Sequence, residues 1–173
     1  MKTKGVDLTK FNSNPAVLCD FDDTTALENV AELLLNRFGD GEWLAYREKH
    51  RQGLITLKSY QEVTFAAIKA DKQTMKSLVK EQATLRPYFK ELSNFCQKMG
   101  IPLAIVSHGL DFYIEALLEK ENLANIPIFA VQTDYTDQGI TYKYPYAWAQ
   151  CEWESGNCKC ATLRRYRDKG HTI

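Results

Sequence analysis

Two aspartates separated by one residue, Asp20 and Asp22, follow a short apolar run over residues 15–19. Successive side chains of a strand point to opposite faces, so this spacing places both carboxylates on one side where the chain leaves a sheet. Ligands in open α/β sheets bind just beyond the carboxyl ends of the strands. Two carboxylates there could share one hard cation, while one attacks an electrophile and the other transfers a proton. The pair therefore predicts a catalytic site at a strand end.

Two simpler interpretations of this segment fit less well. An EF-hand calcium loop also begins with Asp-x-Asp, but it requires glycine at its sixth position, where this chain has Thr25, and a helix before the loop. A plain surface turn would not need an apolar strand ahead of it. Because neighbouring carboxylates repel one another and raise each other's pKa, a purely structural role would gain little from them.

A second candidate site segment, Ser107-His108-Gly109, follows another apolar run. A hydroxyl at a strand tip, together with the backbone N–H groups of the helix that follows, can hold a phosphoryl oxygen. The alternative for Ser107 is that it only caps the helix predicted at 111–121, which is a common position for serine. His108 could contact a substrate or could be a solvated loop residue.

Composition and charge argue against several classes of function. The chain has 173 residues, enough for one domain or a domain with a small insertion, and it contains 22 Lys and Arg against 22 Asp and Glu. Without a net positive field, we expect no binding of nucleic acid or of an acidic membrane. No apolar stretch is long enough to span a bilayer, and the N-terminus lacks the apolar core of a signal peptide. Five cysteines without a secretory signal favour a reducing, cytoplasmic location.

Alternating strand and helix patterns predict an α/β fold with a parallel sheet and right-handed crossovers. Residues 137–139 are typical of a tight turn into residues 140–143, which predicts a β-hairpin. The helical run 26–83 is far longer than one crossover helix and is interpreted as an inserted cap, which would exclude water and select the substrate. The predicted strands cover residues 15–19, 101–106, 127–133 and a start at 171–173, and the predicted helices cover 26–38, 42–50, 56–69, 72–83, 87–98, 111–121 and about 159–169.

The segment that begins at Asp20 resembles motif I, DxDxT, of the haloacid dehalogenase (HAD) superfamily, with Thr24 as its threonine. In the phosphatases of that superfamily the first aspartate, here Asp20, becomes an aspartyl-phosphate. The second, here Asp22, protonates the leaving oxygen and then activates water, and both help to hold Mg²⁺. The resemblance therefore implies an Mg²⁺-dependent phosphatase that hydrolyses a small phosphorylated metabolite.

The later motifs resemble those of the phosphoserine phosphatase-like branch of this superfamily. Ser107 resembles the hydroxyl residue of motif II, and His108 stands where the branch has glycine. Lys159, at the start of a predicted helix, resembles the motif III lysine, which would neutralise Asp20 and the transferring phosphoryl group. A surface lysine is the alternative. The resemblance assigns Thr24, Ser107, His108, Gly109 and Lys159 to phosphate binding.

The resemblance also implies a division of the chain into a Rossmann-like HAD core, residues 1–25 and 84–173, and a small α-helical cap, residues 26–83. Phosphoserine phosphatases place a glutamate for the substrate's amine just after motif I and an arginine for its carboxylate in the cap. Glu28, Asn29, Arg47 and Arg51 lie near these positions. An ordinary solvated helix face explains each of them equally well.

One motif of the family has no counterpart. Motif IV, a strand that ends in G-D-x-x-x-D, would follow the strand expected at His171, but the sequence ends at Ile173. We therefore expect the C-terminal part of the core to be missing, Mg²⁺ to be short of carboxylate ligands, and a homodimer to form through the unfinished sheet edge. The alternative function is a catalytically silent HAD-like protein, or a fragment, that binds a phosphorylated ligand or a partner chain.

A cysteine-containing loop over residues 151–160 precedes Lys159. It is similar to the loop of the methylthiopentenyl phosphate phosphatase and phosphocholine/pyridoxal phosphate phosphatase groups. Cys151, Cys158 and Cys160 could bind zinc, but no fourth ligand is evident. Buried thiols and a disulfide are the other interpretations.

Overall fold

The computed structural model describes residues 14–136, 139–151 and 154–173, and these residues form an α/β structure. Five helices lie between the first strands and the long central strand, and each of the later strands is flanked by a helix or a hairpin. The strands are β1 (Asn14–Pro15), β2 (Val17–Cys19), β3 (Leu103–Leu110), β4 (Ile128–Thr136), β5 (Gly139–Lys143) and β6 (His171–Thr172). The helices are α1 (Val30–Phe38), α2 (Trp43–Arg51), α3 (Leu57–Ala66), α4 (Lys72–Gln82), α5 (Phe89–Met99), α6 (Asp111–Lys120) and α7 (Lys159–Asp168).

The main sheet has the strand order β2-β3-β4-β5. The first three strands are parallel, with Cys19 opposite Ile105 and Ile105 opposite Ile128, and β5 is antiparallel to β4. The predicted parallel sheet and the pairing of the predicted hairpin strands are confirmed, and the turn residues Asp137 and Gln138 lie outside the described residues. Because parallel strands end at the same edge of a sheet, the C-terminal residues of β2 and β3 lie close together at that edge.

The strand expected at residue 171 is also present. β6 pairs in parallel with β1, with Asn14 opposite His171. The backbone N–H of Ala16 donates to the Thr172 carbonyl over 2.8 Å, while that of Val17 donates to the Pro102 carbonyl over 2.8 Å. The segment 14–19 is therefore flanked by β6 on one side and β3 on the other. A homodimer through this edge stays a prediction.

Helix α6 is the centre of the core. Its Phe112, Tyr113, Ile114 and Leu117 are fully buried. One side of α6 contacts β3 and β4, and another contacts α4 of the helical insertion. Lys76 and Lys80 of α4 also place their ammonium groups 2.9 and 2.8 Å from the Glu119 carboxylate at the end of α6. The helical insertion is thus packed onto the sheet-bearing part.

The chain leaves for the helical insertion and returns from it at adjacent points. Ala26 and Leu85 form an antiparallel bridge, and the N–H of Leu27 donates to the Thr84 carbonyl over 2.9 Å. The N–H of Arg86 donates to the Thr25 carbonyl over 2.8 Å. These contacts favour the expected boundaries of the cap, 26–83, which stay a prediction.

Several element boundaries differ from expectation: α3 ends at Ala66 and β4 continues to Thr136, and three other differences have local reasons. Helix α1 begins at Val30, not at residue 26, because the Asn29 side chain caps it by accepting from the Glu32 N–H over 3.0 Å. Helix α5 begins at Phe89, after Pro87, because Tyr88 adopts a left-handed φ of 68°. Strand β3 continues to Leu110, so the Ser107 region lies within it. None of the described helices is long and apolar enough to cross a membrane, and the cytoplasmic location stays a prediction.

Candidate active site

Asp20 lies directly after β2 and points towards Lys159. The Lys159 ammonium is 2.7 Å from Oδ1 of Asp20, and the backbone N–H of Phe21 donates to the same oxygen over 2.8 Å. The turn Phe21–Thr25 is held by Thr25, whose hydroxyl donates to the Asp20 carbonyl over 2.6 Å. Both contacts of the Asp20 carboxylate involve Oδ1, and no described residue bonds Oδ2 of Asp20, so that oxygen is available for an electrophile or a cation.

Asp22 is held by three donors. Its Oδ1 accepts from the backbone N–H of Val30 over 2.8 Å and from that of Ala31 over 3.4 Å, at the N-terminus of α1. Its Oδ2 accepts from the Tyr113 hydroxyl over 3.1 Å. Burial raises the pKa of Asp22 to about 6, because desolvation of the charged carboxylate outweighs these hydrogen bonds. A carboxyl with such a pKa can both donate and accept a proton near neutral pH.

The Asp22–Tyr113 contact requires a glycine at position 109. A Cβ atom built on Gly109 would lie 1.9 Å from the Tyr113 hydroxyl oxygen and 3.0 Å from Oδ2 of Asp22. Tyr113 itself is fully buried. Sequence analysis did not identify Tyr113 as a site residue. The available signal was a phenol hydroxyl, which needs a partner when buried, on a helix that is otherwise apolar on this side.

Ser107 does not cap α6. Its hydroxyl oxygen accepts from the backbone N–H of Gly109 over 2.9 Å, and the residue before α6 is Leu110, which makes no side-chain capping bond. Asp111 accepts from the N–H of Phe112 over 2.8 Å instead. The capping alternative for Ser107 is therefore wrong, and Ser107 lines one cavity together with Asp20 and Asp22.

His108 faces the same cavity as a neutral imidazole. Burial and the nearby Lys159 ammonium lower its pKa to about 4, against a smaller opposing effect of Asp20. An uncharged ring beside a phosphoryl site can still donate or accept one hydrogen bond at each nitrogen. Its backbone carbonyl accepts from Nε2 of Gln61 over 2.9 Å, which connects β3 to α3.

The loop before α7 is fastened by Asn157. This buried side chain donates through Nδ2 to the Ser107 carbonyl and, over 2.7 Å, to the Phe129 carbonyl. The Ser155 hydroxyl donates to the Asn157 carbonyl over 2.6 Å. Because Lys159 follows two residues later, Asn157 fixes the start of α7 against β3 and β4. Sequence analysis did not identify this residue either.

The site residues line one cavity of about 440 Å³ between the sheet and the helical insertion. Thr24 and Glu28 are not among its lining residues: the Thr24 carbonyl accepts from Arg86, and the Glu28 carboxylate accepts from the Thr84 N–H over 2.8 Å. Of the residues expected from the sequence, the cavity brings together Asp20, Asp22, Asn29, Arg47, Arg51, Ser107, His108, Gly109 and Lys159. Lining residues that were not expected include Glu32, His50, Tyr60, Gln61, Phe65 and Tyr113.

Glu32, rather than Glu28, is the glutamate of the cavity. Helix α1 begins at Val30, which leaves Glu28 before the helix and places Glu32 in its first turn. Oε1 of Glu32 lies 3.0 Å from Nη1 of Arg47, and the Arg47 guanidinium lies over the Trp43 ring at 5.0 Å. Arg47, one of the two arginines predicted for the cap, thus lines the cavity and forms an ion pair with Glu32.

The donor chemistry at the strand end fits a hard cation in part. Asp20 and Asp22 supply carboxylate oxygens, the ligands that Mg²⁺ prefers. Within residues 14–136, 139–151 and 154–173, however, no cluster of three or more His, Cys, Asp or Glu side chains could hold a metal ion. Asp111 is bonded to Thr133, and Asp134 is paired with Lys143, so neither adds a third carboxylate. The zinc interpretation of the cysteine loop gains no support among the same residues.

The comparisons with known proteins agree with this geometry. Residues 17–152 match the sequence model of the haloacid dehalogenase-like hydrolases. A 2-hydroxy-3-keto-5-methylthiopentenyl-1-phosphate phosphatase from Brevibacillus brevis is 30% identical over 157 residues, which cover 90% of this chain and 71% of that protein.

Two solved structures share the fold. A phosphoserine phosphohydrolase-like protein from Francisella tularensis superposes with a TM-score of 0.62 at 20% identity, over 90% of this chain and 73% of that one. A phosphoserine phosphatase from T. onnurineus gives a TM-score of 0.62 at 20% identity, over 95% and 75% of the two chains. These two likenesses show the shared fold, while the matched family model and the Brevibacillus relative establish that the chain belongs to the haloacid dehalogenase-like hydrolases, among which its named relatives are phosphatases.

Proposed function

We propose that this protein hydrolyses a small phosphomonoester through an aspartyl-phosphate on Asp20, with the help of Mg²⁺. The observation that carries the proposal is the position of Asp20 at the strand end, with one carboxylate oxygen against Lys159 and the other without a partner among the described residues. Ser107 and His108 line the same cavity. This arrangement suits a nucleophile beside groups that bind a phosphoryl oxygen.

The first step transfers the phosphoryl group to the protein. A lone pair on Oδ2 of Asp20 forms the new P–O bond as the bond from phosphorus to the leaving alkoxide breaks. The protonated carboxyl of Asp22 gives its proton to that alkoxide, which leaves as an alcohol. The Lys159 ammonium offsets negative charge on the transferring group. Mg²⁺ bound by Asp20 and Asp22 would neutralise further charge on the phosphoryl oxygens.

The second step returns Asp20 to its starting form. The Asp22 carboxylate accepts a proton from a water molecule, whose oxygen attacks the phosphorus atom of the aspartyl-phosphate. The bond between phosphorus and Oδ2 of Asp20 breaks, which releases inorganic phosphate and the free carboxylate. Asp22 is then protonated for the next cycle, so its pKa of about 6 suits both of its tasks.

The part of the cavity lining that comes from the helical insertion would accommodate the leaving group. It includes Arg47, His50 and Arg51 of α2 and Tyr60 of α3, and the cavity of about 440 Å³ limits the substrate to a small metabolite. The substrate named for the Brevibacillus relative, 2-hydroxy-3-keto-5-methylthiopentenyl-1-phosphate, is the first compound to assay. Among the residues expected at the cap, Asn29, Arg47 and Arg51 remain candidates for substrate contact.

A second candidate function rests on the small number of carboxylates. Because the described residues give a cation only Asp20 and Asp22, the chain could bind a phosphorylated ligand without turning it over. That protein would keep the Lys159 and Ser107 contacts to phosphate but would show no Mg²⁺-dependent release of phosphate.

An assay with p-nitrophenyl phosphate and Mg²⁺ separates the two candidates. The proposal expects phosphate release that ceases with EDTA and in Asp20→Asn. Asp168→Asn, an exposed carboxylate at the end of α7, is the matched control and should retain full activity. No Mg²⁺-dependent turnover in the wild-type chain, together with retained binding of phosphate, would favour the silent protein.

A further inference from the structure

Arg86 bonds three consecutive carbonyl groups of the turn that carries Asp22. Its guanidinium donates through Nε to the Thr24 carbonyl and through Nη2, over 2.6 Å, to the Asp23 carbonyl. Its backbone N–H donates to the Thr25 carbonyl over 2.8 Å. Arg86 is exposed and is not among the residues that line the active-site cavity. It therefore acts on the turn and not on a bound substrate.

The turn needs support because its backbone departs from regular structure. Asp22 is extended, with a ψ of 133°, and Asp23 has a left-handed φ of 58°. A residue other than glycine in this region is strained and persists only where surrounding contacts hold it. This change of direction lies between Asp22 and α1, whose first N–H groups bond the Asp22 carboxylate. The conformation at Asp23 and the position of the Asp22 carboxyl are thus linked.

The shape of the guanidinium determines what Arg86 can do for the turn. The group is planar and presents its donors in a fixed geometry, so it holds two neighbouring carbonyls in one relative orientation. The residue is also well placed by its backbone. The bridge between Ala26 and Leu85 brings it opposite Thr25, and Pro87 disfavours helical conformations at the residue that precedes it.

The other contacts at Asp23 engage different atoms. Its N–H donates to the Glu28 carbonyl over 3.2 Å, and its carboxylate accepts from Nδ2 of Asn29 over 3.2 Å. Neither contact involves the two carbonyls that the Arg86 side chain bonds. Removal of the guanidinium therefore frees the carbonyl side of the turn, while these two contacts can persist.

We infer that Arg86 is a positioning residue, whose guanidinium fixes the turn so that the Asp22 carboxyl stays against α1 and Tyr113, where it serves the leaving group. This inference rests on the proposed phosphatase function and adds to it a residue outside the cavity. Because Arg86 touches no reacting atom, its loss should impair above all the step in which Asp22 donates a proton. An exposed side chain can also be replaced without opening the core.

The dependence of turnover on the leaving group tests the inference. The ratio kcat/KM covers the steps up to departure of the alcohol, and an alkoxide needs a proton more than p-nitrophenolate does. Propyl phosphate and p-nitrophenyl phosphate are compared in Arg86→Gln at saturating Mg²⁺. We expect kcat/KM to fall at least about tenfold further for propyl phosphate, since a general acid contributes roughly 10²–10⁴-fold. Equal losses for the two esters, or no loss, would overturn the inference.

Two further variants separate the shape of the guanidinium from its charge. Arg86→Lys keeps the charge but cannot hold two carbonyls in a fixed geometry, so it should retain most of the leaving-group effect of Arg86→Gln. Wild-type kinetics in Arg86→Lys would show that charge alone is sufficient and would contradict the inference. Arg167→Gln removes an exposed arginine at the end of α7 and is the control, which should keep the wild-type ratio for the two esters.

Amide hydrogen exchange decides the matter without turnover. The Val30 N–H is bonded to Oδ1 of Asp22, so displacement of that carboxyl should expose this amide to exchange. We expect the Val30 amide to exchange at least about tenfold faster in Arg86→Gln, the value of one hydrogen bond, while that of Leu117 in α6 keeps its rate. An unchanged Val30 rate, or a rise of the same size at Leu117, would overturn the inference.

The kinetic and exchange measurements also distinguish the two ways in which the account can fail. If the wild-type chain hydrolyses neither ester but Val30 exchange responds as expected, the proposed function fails and the positioning of Asp22 by Arg86 stands. If the wild-type chain hydrolyses both esters, and Arg86→Gln changes neither the ratio of the esters nor Val30 exchange, only the inference fails.

Discussion

The Tyr113 hydroxyl donates to Oδ2 of Asp22 across 3.1 Å and joins the buried core helix to the carboxyl that we propose transfers protons. Asp22 is thereby held from two sides, since its other oxygen accepts from the N-terminus of α1. Burial raises the pKa of Asp22, while the Tyr113 bond acts in the opposite direction. The core helix therefore adjusts the protonation of a residue that is distant in sequence.

Removal of the Tyr113 hydroxyl should raise the pKa of Asp22. In Tyr113→Phe the carboxylate loses a donor that stabilises its charged form, while its burial persists, so its pKa should lie above the wild-type value of about 6. Carbon-13 NMR titration of the aspartate carboxyls in the metal-free chain measures this value. Comparison with Asp22→Asn assigns the signal. A lower or unchanged pKa in Tyr113→Phe would refute the role of the bond.

A side chain at position 109 should separate Tyr113 from Asp22. The Cβ of Gly109→Ala would lie 1.9 Å from the Tyr113 oxygen, so the phenol or the strand must move. We expect a loss of about 1–3 kcal/mol in the free energy of unfolding, as for other overpacked cores, together with at least a tenfold (~1.4 kcal/mol) lower kcat. Urea unfolding and the phosphatase assay measure the two effects.

The double variant Gly109→Ala with Tyr113→Phe identifies the clash. Phenylalanine lacks the oxygen that meets the new Cβ, although the ring carbon that carried it is still 2.7 Å away. Part of the stability lost in Gly109→Ala should therefore return. Losses that simply add in the double variant would show that the two positions act independently.

His108 should make the fold less stable as the pH falls from 6.5 towards 4. Its pKa is about 4 in the folded chain and near 6.5 when unfolded, so between these values the unfolded chain binds more protons and acid favours unfolding. Between pH 7 and pH 5 the wild type should lose roughly 2 kcal/mol more unfolding free energy than His108→Asn. Asp22 contributes to the pH dependence with the opposite sign, because its raised pKa makes the folded chain bind a proton more readily and so stabilises the fold as the pH falls through about 6. This contribution is present in the wild type and in His108→Asn, so it cancels in the comparison. Equal pH dependence of the unfolding free energy in the two chains would show that the pKa of His108 is not lowered in the folded protein.

Asn157 should act on the reaction by positioning Lys159. Asn157→Leu keeps a similar volume but leaves the carbonyls of Ser107 and Phe129 without their donor. We expect about 1–3 kcal/mol less stability and a lower kcat, because the start of α7 is no longer fastened to the sheet. Lys159→Met is the comparison: it should lower kcat with a smaller loss of stability, since Lys159 is partly exposed. Wild-type kcat in Asn157→Leu would contradict the positioning role.

The parts of the site that could be predicted from sequence are those fixed by local geometry. The apolar run before Asp20 predicted a strand that ends there, and Asp20, Asp22, Ser107 and Lys159 all line one cavity, although Asp22 lies in the turn Phe21–Thr25 and not on the strand itself. The alternation of strands and helices was sufficient for the parallel sheet. These features depend on strand and helix periodicity, which is encoded in neighbouring residues.

The contacts that could not be predicted depend on packing between distant segments or on a single capping residue. Glu28 was expected in a helix from residue 26, but the Asn29 cap starts the helix at Val30 and brings Glu32 to the cavity instead. Tyr113 is indistinguishable by periodicity from its apolar neighbours, because α6 is covered on most sides. Its pairing with Asp22 exists only once α6, α1 and the turn after β2 are assembled.

The central claim is that Asp20 carries the phosphoryl group during turnover. Borohydride reduces an aspartyl-phosphate to an alcohol, so quenching the reaction with borohydride and mapping the peptides by mass spectrometry locates the group. The account predicts, in the presence of Mg²⁺ and substrate, reduction of the carboxyl at position 20 in the wild-type chain and in Asp168→Asn, and none without substrate. Reduction at another carboxylate, or phosphate release with no reduced residue at position 20, would contradict it.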